Sequence, residues 1–466
     1  MSPTIREMIL DDKVCQSFDL GVIQEVISPH LVQLVLSVSD AWEERERRLN
    51  MQTLIYWLIA LALYPQLSQR AVYSKVLSGL RLVQPDLAKQ LPVKSAFSYR
   101  REQLAVAPLH WLFALCAHPR ATSQTKGAFW KGLRLMALDG TVDSVPDTQD
   151  NRATFQYSSD EEISRSPFPQ VRLLLLLECG THLICDAELS SCRQGETTSA
   201  RELLARSLEP EMLLLWDSGL HCSSHILLAR QRQSHVLGAL KSNVLTKPVE
   251  RLADGSYLTY VYEDQGHQRG ERLLVRVISY IFTDPRIPGA GTQVHRLMTT
   301  LLDPEQYPAH DLAVLYHERW HVEQAIGEVK TYLRLSARTL RSLTPAGVLQ
   351  ELYGILLAHI AVRTLMLQAA TAADVAPTQL SFTATIRILD ECLPVWSLAS
   401  PAQRVSLQQA VLCEIAAQRL PAQRLRFQAR VVKRTRSKFE RKLPLHLKAP
   451  PLEPGVDFKD LIALVT

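Results

Sequence analysis

LRLMALDG, residues 133–140, is a short apolar run that ends in an aspartate followed by a glycine. A second run of the same form, MLLLWDSG, occupies residues 212–219. Short continuous apolar runs bounded by turn residues are typical of buried strands. In an α/β sheet, carboxylates at the carboxyl ends of such strands point into the crevice where ligands bind. Asp139 and Asp217 are therefore candidate site residues, although either one alone could be an ordinary turn or helix-capping aspartate.

The segments around these two runs alternate between strand and helix patterns. VRLLLLLEC (171–179) and HLICDAELS (182–190) predict a hairpin, residues 196–208 a helix, and HVLGAL (235–240) a further strand. Alternating strand patterns around a glycine turn fill residues 257–282. Strands mixed with helices in this way predict an α/β core with a β-rich piece inserted into it.

Helical patterns flank this core on both sides. In the N-terminal region, apolar residues recur at three- and four-residue steps, and SAFSYRREQLAV (95–106) predicts a helix that exposes Arg100 and Arg101. Short helices followed by a basic helix suit a helix-turn-helix. A plain helical bundle with a solvated arginine face is the open alternative.

A run of positive charge lies near the C-terminus. Between Arg424 and Lys448 there are ten Lys or Arg residues and one acid, Glu440. Each such cation set against a backbone phosphate releases counterions, so the run predicts sequence-independent DNA affinity. A merely solvated charged face is the alternative. The candidate contacts at its centre are Arg434, Arg436 and Lys438.

Composition limits the class of protein. The 466 residues are 47% hydrophobic and 21% charged, which excludes a disordered chain. A formal net charge of +5 permits nucleic-acid binding without requiring it. None of the eight cysteines forms a C-x-x-C pair, the N-terminus has no signal-peptide pattern, and the apolar run 54–64 is too short to span a membrane. We therefore expect a soluble cytoplasmic protein with reduced cysteines.

YHERWHVEQAIGEVK, residues 316–330, combines acid and base chemistry on one predicted helix. Four of its side chains fall within about 60° of one another on an ideal α-helix. They are Tyr316, Arg319, Glu323 and Lys330. A carboxylate between two cations stays ionised at neutral pH and can hold a divalent metal ion, while the cations hold phosphate oxygens.

The same stretch fits the zinc-protease pattern H-E-x-x-H at residues 317–321. Zinc needs a third protein ligand, and no H-x-x-G-x-x-H extension follows. His317 and His321 also lie about 100–140° around the ideal helix from Tyr316. We therefore expect these histidines to pack or to meet solvent, and the protein to carry no stoichiometric zinc.

Together these motifs resemble the DDE transposases of bacterial insertion sequences, in the insertion-sequence-four branch. That family's signature is Tyr, two residues, Arg, three residues, Glu, six residues and Lys, which residues 316–330 match without a gap. LDGTVDSVPDT (138–148) is similar to the family's first aspartate motif, and WDSG (216–219) to its second. The resemblance extends from about residue 15 to about residue 445 and is strongest over 133–365.

The resemblance implies a fold and a division of the chain. The expected fold is α/β, with a ribonuclease-H-like (retroviral-integrase-like) catalytic core, an inserted β-rich subdomain, and helical N- and C-terminal regions. The expected regions are 1–130 (helical, DNA-binding), 131–240 (core, first part), 241–307 (β-rich insertion), 308–372 (core, second part) and 373–466 (helical, with the basic tail).

The resemblance also implies an activity: Mg-dependent DNA cleavage and strand transfer at terminal inverted repeats. The expected catalytic residues and metal ligands are Asp139, Asp217 and Glu323, holding two Mg²⁺ ions, with Mn²⁺ able to substitute. The residues expected to contact DNA are Tyr316, Arg319, Lys330, Arg100, Arg101, Arg434, Arg436 and Lys438. The expected partners are double-stranded DNA and a second copy of the chain on paired ends, with no membrane, in a bacterial cytoplasm at the nucleoid. A metal-dependent nuclease without strand transfer and a non-catalytic DNA-binding relative are the alternatives.

Overall fold

The structure is a computed structural model, and it describes residues 18–42, 49–84, 86, 91–160, 166–241, 243–264, 269–284, 287, 289–334, 339–421 and 458–464. These residues form two compact units, each assembled from separate parts of the chain. The first unit draws on Met1–Phe129, Gly140–Gly195 and Val322–Arg419. The second draws on Trp130–Asp139, Glu196–His321 and Leu420–Thr466.

The α-helices of the described residues are, in chain order, α1 (Ile23–Val26), α2 (Pro29–Val38), α3 (Met51–Leu63), α4 (Gln69–Val76), α5 (Ser78–Val83), α6 (Lys94–Leu104), α7 (Ala107–Cys116), α8 (Gln149–Phe155), α9 (Glu196–Ser207), α10 (Ser223–Gln231), α11 (Ala309–Leu315), α12 (Trp320–Gly327), α13 (Pro345–Ala372), α14 (Phe382–Leu398) and α15 (Pro401–Ala417). Short 3₁₀ turns cover Tyr316–Arg319, Pro377–Gln379 and Phe458–Leu461, and a π-helix covers Glu328–Leu333.

The strands are β1 (Phe129–Trp130), β2 (Leu133–Ser144), β3 (Gln170–Glu178), β4 (Leu183–Ser191), β5 (Met212–Trp216), β6 (His235–Ala239), β7 (Glu250–Arg251), β8 (Tyr257–Asp264), β9 (Arg269–Phe282), β10 (His295–Thr299) and β11 (Ile462–Leu464). Strands and helices alternate through the middle of the chain, with helices on either side of it. The prediction of an α/β core with helical flanks is confirmed.

The second unit is built around a sheet that begins with β2 and β5. These two strands are parallel and in register from Arg134 opposite Met212 to Leu138 opposite Trp216. Strand β6 lies parallel on the other side of β5. The sheet continues through antiparallel β10, β9, β8 and β7, and β11 pairs with β9. The strands of the β-rich segment, β7 to β10, therefore belong to the same sheet as β6 and do not form a separate sheet.

The central strands of this sheet are apolar because both of their faces are covered. Every residue of β5 is buried, and Trp216 at its end is 1% exposed. Gly238 lies opposite Trp216 in the register with β6, and a Cβ built there would fall 2.1 Å from Trp216 Nε1. Only glycine lets the indole lie against β6, so the glycine in HVLGAL has a packing role.

The first unit contains a long buried helix, α13. By length and composition, it is the helix within the described ranges that could cross a membrane, but 83% of its apolar window is buried inside the protein. Helix α3, of which most residues are buried, packs against it. A Cβ built at Gly354 would fall 2.7 Å from the carbonyl oxygen of Leu58, so glycine lets the two helix backbones approach closely. Helix α13 is thus a core helix of this unit.

The hairpin of β3 and β4 also belongs to the first unit. Just beyond β2, the Val145 N–H donates to the carbonyl oxygen of Pro169, which precedes β3. This bond sets the start of β3 beside the end of β2. Along the chain, the antiparallel β3–β4 hairpin precedes the parallel strands β5 and β6.

The expectation that Arg100 is exposed is wrong. Arg100 is 4% exposed, its Nε donates to the carbonyl oxygen of Leu49 at 3.0 Å, and its Nη1 donates to Gln103 Oε1 at 2.6 Å. The burial of Arg100 follows from helical spacing. Arg100 is three residues after Phe97 and four residues before Leu104, so it shares a helix face with these two fully buried residues. The arginine therefore lies on the inner face of α6.

Arg101 is also engaged by the protein. Its Nε donates to Gln350 Oε1 at 3.1 Å, and its Nη2 donates to Ser342 Oγ and to the carbonyl oxygen of Gly347. These bonds join α6 to the start of α13 within the first unit. A contact between Arg101 and DNA stays a prediction.

We predict that Arg100→Met lowers stability and leaves DNA affinity unchanged. Methionine keeps much of the apolar stem but cannot bond Leu49, and a lost buried hydrogen bond from a charged group costs about 1.5–3 kcal/mol. Thermal unfolding followed by circular dichroism, together with a DNA-binding titration, measures both effects. A fall in DNA affinity with an unchanged unfolding midpoint would contradict this prediction and indicate that Arg100 contacts DNA.

Candidate active site

The two predicted aspartates lie at the same edge of the second unit's sheet. Each comes one residue after the last position at which β2 and β5 pair, where Leu138 is opposite Trp216. Because the pairing stops at the same point on both chains, Asp139 and Asp217 are neighbours there. Asp217 follows the last residue of β5, as predicted. The prediction that Asp139 ends its strand is wrong, because β2 continues to Ser144 beyond its pairing with β5.

Asp217 is held in a tight turn. Its Oδ1 accepts hydrogen bonds from the backbone N–H groups of Gly219 at 2.8 Å and Leu220 at 3.3 Å. It is not a helix N-cap, because α10 starts later and is preceded by Cys222. A Cβ at Gly219 would lie 3.1 Å from the same Oδ1, which explains the glycine in WDSG. The turn fixes one carboxylate oxygen and leaves Oδ2 without a described turn bond.

Arg319 places a positive charge beside these carboxylates. Its Nη1 lies 3.8 Å from Asp139 Oδ2, and both side chains are partly accessible, at 16% and 22% exposure. Arg319 also makes a side-chain hydrogen bond with Tyr316. In a 3₁₀ turn, side chains at i and i+3 are eclipsed, so Tyr316 and Arg319 project together.

The pKa of Tyr316 reports this arrangement. Burial raises the pKa of its phenol to about 12; Arg319 opposes the rise, and the negative charges of Asp217 and Asp139 add to it. Tyr316 is therefore protonated at neutral pH and can donate a hydrogen bond. The second unit thus brings together Asp139, Asp217, Tyr316 and Arg319.

The helix that carries the four-residue signature is not a uniform α-helix. Residues Tyr316–Arg319 form a 3₁₀ turn, Trp320–Gly327 form α12, and Glu328–Leu333 form a π-helix. The three helix types rotate by different angles per residue. The angular positions calculated for an ideal α-helix therefore do not apply to residues 316–333 as a whole. π-Helical turns occur frequently at functional sites, and this one carries Lys330.

Glu323 and Lys330 belong to the first unit. Glu323 is partly buried on α12, one helical turn after Arg319. The Lys330 ammonium donates to Thr141 Oγ1 at 2.6 Å and to the carbonyl oxygen of Val142 at 2.9 Å. Lys330 is thus bound to the last residues of β2, which sequence reasoning did not foresee.

Sequence reasoning also missed Asp143, which lies between two cations. Its side chain is 0% exposed, and its Oδ1 lies 3.6 Å from Lys330 Nζ and 3.1 Å from Arg334 Nη2. One signal was available: Asp143 follows Asp139 by four residues on a strand, so both point to the same face. A second signal was the spacing of Lys330 and Arg334. They are four residues apart, so they are neighbours on a helix surface.

The histidines of H-E-x-x-H do not form a zinc site. The His317 ring packs against Phe282 with centroids 5.6 Å apart and meets Tyr280 edge-on at 6.0 Å. His295 stacks on Tyr280 in the same cluster. His321 Nε2 lies 2.8 Å from a carboxylate oxygen of Glu318. His317 packs, as expected, whereas His321 is partly buried and pairs with Glu318.

Burial accounts for the state of His317. It lowers the pKa of the imidazole to about 3, helped by the nearby positive charge of His295 and of Arg319. The ring is therefore neutral at pH 7 and belongs to the aromatic packing between β9, β10 and the 3₁₀ turn.

Within the described ranges, no group of three or more His, Cys, Asp or Glu side chains is placed to hold a metal ion. The donor chemistry of Asp139 and Asp217 nevertheless fits a hard divalent cation. Asp139 and Asp217 offer carboxylate oxygens at an accessible sheet edge, and Mg²⁺ and Mn²⁺ prefer oxygen ligands. The convergence of Glu323 with these two aspartates stays a prediction.

Comparisons with known proteins agree with this geometry. Residues 17–114 match the family model for the insertion element 4 transposase N-terminal region, and residues 130–361 match the model for the transposase DDE domain. Together the two models cover more than two-thirds of the chain. The chain is a DDE transposase of the insertion-sequence-four family.

Individual relatives carry the same description. The chain is 26% identical over 419 residues to the transposase InsG for insertion sequence element IS4 of Escherichia coli strain K12, covering 89% of this chain and 92% of that protein. It is 25% identical over 222 residues to the putative transposase InsZ of the same organism, covering 47% of this chain and 71% of that protein. The solved piggyBac transposase synaptic complex with hairpin DNA aligns over 88% of this chain and 86% of that chain, with a TM-score of 0.40 and 13% identity.

Family membership confirms the ribonuclease-H-like catalytic fold and the enzyme class. It also implies the use of a divalent metal ion by the transposase.

The segment with Arg434, Arg436 and Lys438 lies outside the described residues, so their predicted DNA contacts have no structural description.

We predict that His317→Phe makes the transposase less sensitive to acid. The unfolded histidine takes up a proton near pH 6.5, whereas the folded one does not until about pH 3, so stability is lost as pH falls below ~6.5. The loss amounts to ~1.4 kcal/mol per pH unit, or ~2 kcal/mol between pH 6.5 and pH 5. Denaturation midpoints of wild type and variant at both pH values measure it.

The matched control for this prediction is His321→Phe, because His321 lies on the same segment and its Nε2 contacts Glu318. It should keep the acid sensitivity of the wild type. Equal acid sensitivity of His317→Phe and wild type would contradict the assigned burial of His317.

Proposed function

We propose that this transposase binds the terminal inverted repeats of a bacterial insertion sequence and cuts and joins DNA strands at Asp139, Asp217 and Glu323. The observation that carries the proposal is the parallel pairing of β2 with β5, which sets Asp139 beside Asp217 with Arg319 and Tyr316 facing them. Two carboxylates at one sheet edge are suited to metal-assisted phosphoryl transfer.

The proposed metal content is two Mg²⁺ ions, with Mn²⁺ as a substitute. Asp139, Asp217 and Glu323 would hold them, and when bound they supply an activated attacking oxygen and stabilise the leaving oxygen. Carboxylate donors without a thiolate or imidazole favour these hard ions over zinc.

The protein's own groups bind the scissile phosphate. Arg319 can give two aligned N–H donors to phosphate oxygens, exchanging its long 3.8 Å contact with Asp139 for a charge-assisted pair. Tyr316, kept protonated by its environment, donates to a neighbouring phosphate oxygen. These donors stabilise the charge that accumulates on phosphorus-bound oxygens in the transition state.

The proposed partners are double-stranded DNA, as inverted repeat and as target, and a second copy of the chain on paired ends. The match to an insertion element 4 transposase N-terminal region supports inverted-repeat binding, and the positive run from Arg424 to Lys448 supports sequence-independent affinity. The proposed location is the bacterial cytoplasm, with the protein at the nucleoid when bound to DNA.

Incubation with duplexes of the flanking inverted repeats and Mg²⁺, with nicking and joining read on one gel, tests the proposal. Nicking at the repeat ends followed by joined products is the expected result. Nicking without joining would assign a nuclease instead, and binding without either product would assign a DNA-binding relative.

We predict that Glu323→Gln abolishes cleavage and leaves DNA affinity within about twofold. The change removes the charge that a metal ion needs and alters side-chain volume little. Single-turnover cleavage and a binding titration on the same duplex separate the two quantities. A parallel loss of DNA binding would make Glu323 a structural residue.

We predict that Arg319→Ala slows cleavage about 30- to 1,000-fold, because a lost charged contact to the transition state costs about 2–4 kcal/mol. The double variant His317→Ala and His321→Ala, measured at pH 7.5, should retain most of the cleavage rate. A zinc enzyme would give the reverse ranking. Stoichiometric zinc lost from His317→Ala would also overturn the assignment of this helix.

A further inference from the structure

We propose that Asp143 is a positioning residue: its buried carboxylate fixes Lys330 and Arg334 to strand β2 and so places the helical segment that carries Glu323. The inference rests on the proposed function, because it assumes that Glu323 acts at the reacting phosphate. All the contacts that it uses lie within the first unit.

The burial of Asp143 requires an electrostatic explanation. The side chain is 0% exposed, and neither carboxylate oxygen accepts a well-aligned hydrogen bond from the residues that the structure describes. A buried carboxylate without compensation costs several kcal/mol. Lys330 at 3.6 Å and Arg334 at 3.1 Å supply the opposite charge. The carboxylate at this buried strand position therefore lies within ion-pair distance of two cations from one helical segment.

Three further bonds make the same connection between β2 and this part of the chain. Lys330 donates to Thr141 Oγ1 and to the carbonyl oxygen of Val142, the two residues that precede Asp143 on β2. The Leu340 N–H donates to the carbonyl oxygen of Ser144, the last residue of β2. The strand end and the chain from Lys330 to Leu340 are thus joined at successive positions.

The position of this cluster along the chain links it to the proposed chemistry. Asp143 follows Asp139 by four residues on β2, and Lys330 follows Glu323 by two helical turns on α12 and the π-helix. A shift of Lys330 along β2 would therefore move Glu323 as well. Displacements of about 1 Å at a reacting centre can cost about 100-fold in rate.

A second network holds the π-helix from its other side. Glu328, 7% exposed, accepts from Arg363 Nε at 2.9 Å, and its Oε2 lies 3.0 Å from His359 Nε2. Burial would raise the pKa of Glu328, but Arg363 and the neighbouring histidines hold it well below its usual range. This anchor is independent of Asp143, so the fold survives the loss of the Asp143 carboxylate while the position of Lys330 changes.

The variant Asp143→Asn removes the charge and keeps the shape. Its matched control is Asp150→Asn, because Asp150 is exposed on α8 of the same unit and changes the net charge equally. On a duplex of the inverted repeat, we expect Asp143→Asn to cleave at least 10-fold more slowly at saturating DNA, with its DNA dissociation constant within about twofold of wild type. Asp150→Asn should match wild type in both quantities.

A double-mutant cycle separates positioning from simple loss of stability. Lys330→Gln alone should slow cleavage, and Asp143→Asn added to it should slow cleavage by less than about threefold more, because the two residues act as one unit. Independent effects that multiply would overturn the proposal, and so would a wild-type rate for Asp143→Asn. If Asp143→Asn alone does not fold, the comparison of the double variant with Lys330→Gln still decides.

The outcomes also separate this inference from the proposed function. Cleavage by Glu323→Gln in the same assay would refute the proposed function, whatever Asp143→Asn does. A dead Glu323→Gln with a fully active Asp143→Asn would refute only the positioning role. A melting point of Asp143→Asn close to that of wild type, with slow cleavage, completes the expected pattern.

Discussion

The parallel hydrogen bonding of β2 to β5 is the constraint on which the site depends. The register that sets Leu138 opposite Trp216 puts the next residue of each strand at the same sheet edge, and both are aspartates. Two carboxylates would not remain neighbours without this backbone pairing, because their charges repel. The apolar strands and the glycine at position 238, which admits the Trp216 ring, stabilise that register and so indirectly hold the acids together.

Strand β2 carries two acidic positions with different surroundings. Asp139 is 22% exposed, and Arg319 Nη1 lies 3.8 Å from its Oδ2. Asp143 is buried and has two cations, so its charge is already compensated. The two carboxylates of β2 thus differ in their surroundings, since one is partly accessible and the other is buried beside two cations.

Much of the site could be predicted from the sequence because its signals are local. Asp139 and Asp217 are indicated by apolar runs that stop at Asp-Gly and Asp-Ser, and the four-residue signature lies within one helical stretch. That β2 continues past Asp139 to Ser144 was not predicted. The expectations that depended on tertiary packing did worse. Arg100 looked like a surface cation, yet Phe97 and Leu104 turn its helix face inward. The 3₁₀ and π turns around α12, and the use of Lys330 to bind β2, arise from contacts that no local pattern encodes. The zinc-protease pattern was a false signal, since the aromatic cluster around His317 is assembled from residues of β9 and β10 distant in sequence.

The central claim is that Asp139, Asp217 and Glu323 act as one metal-binding site. A structure of the transposase with an inverted-repeat duplex and Mn²⁺, with the metal located by anomalous scattering, tests it most directly. The account predicts Mn²⁺ between these three side chains, with their carboxyl carbons within roughly 8 Å of one another, because paired catalytic ions lie ~3.5–4 Å apart. Mn²⁺ bound without Glu323, or a metal ion held by His317 and His321, would contradict it.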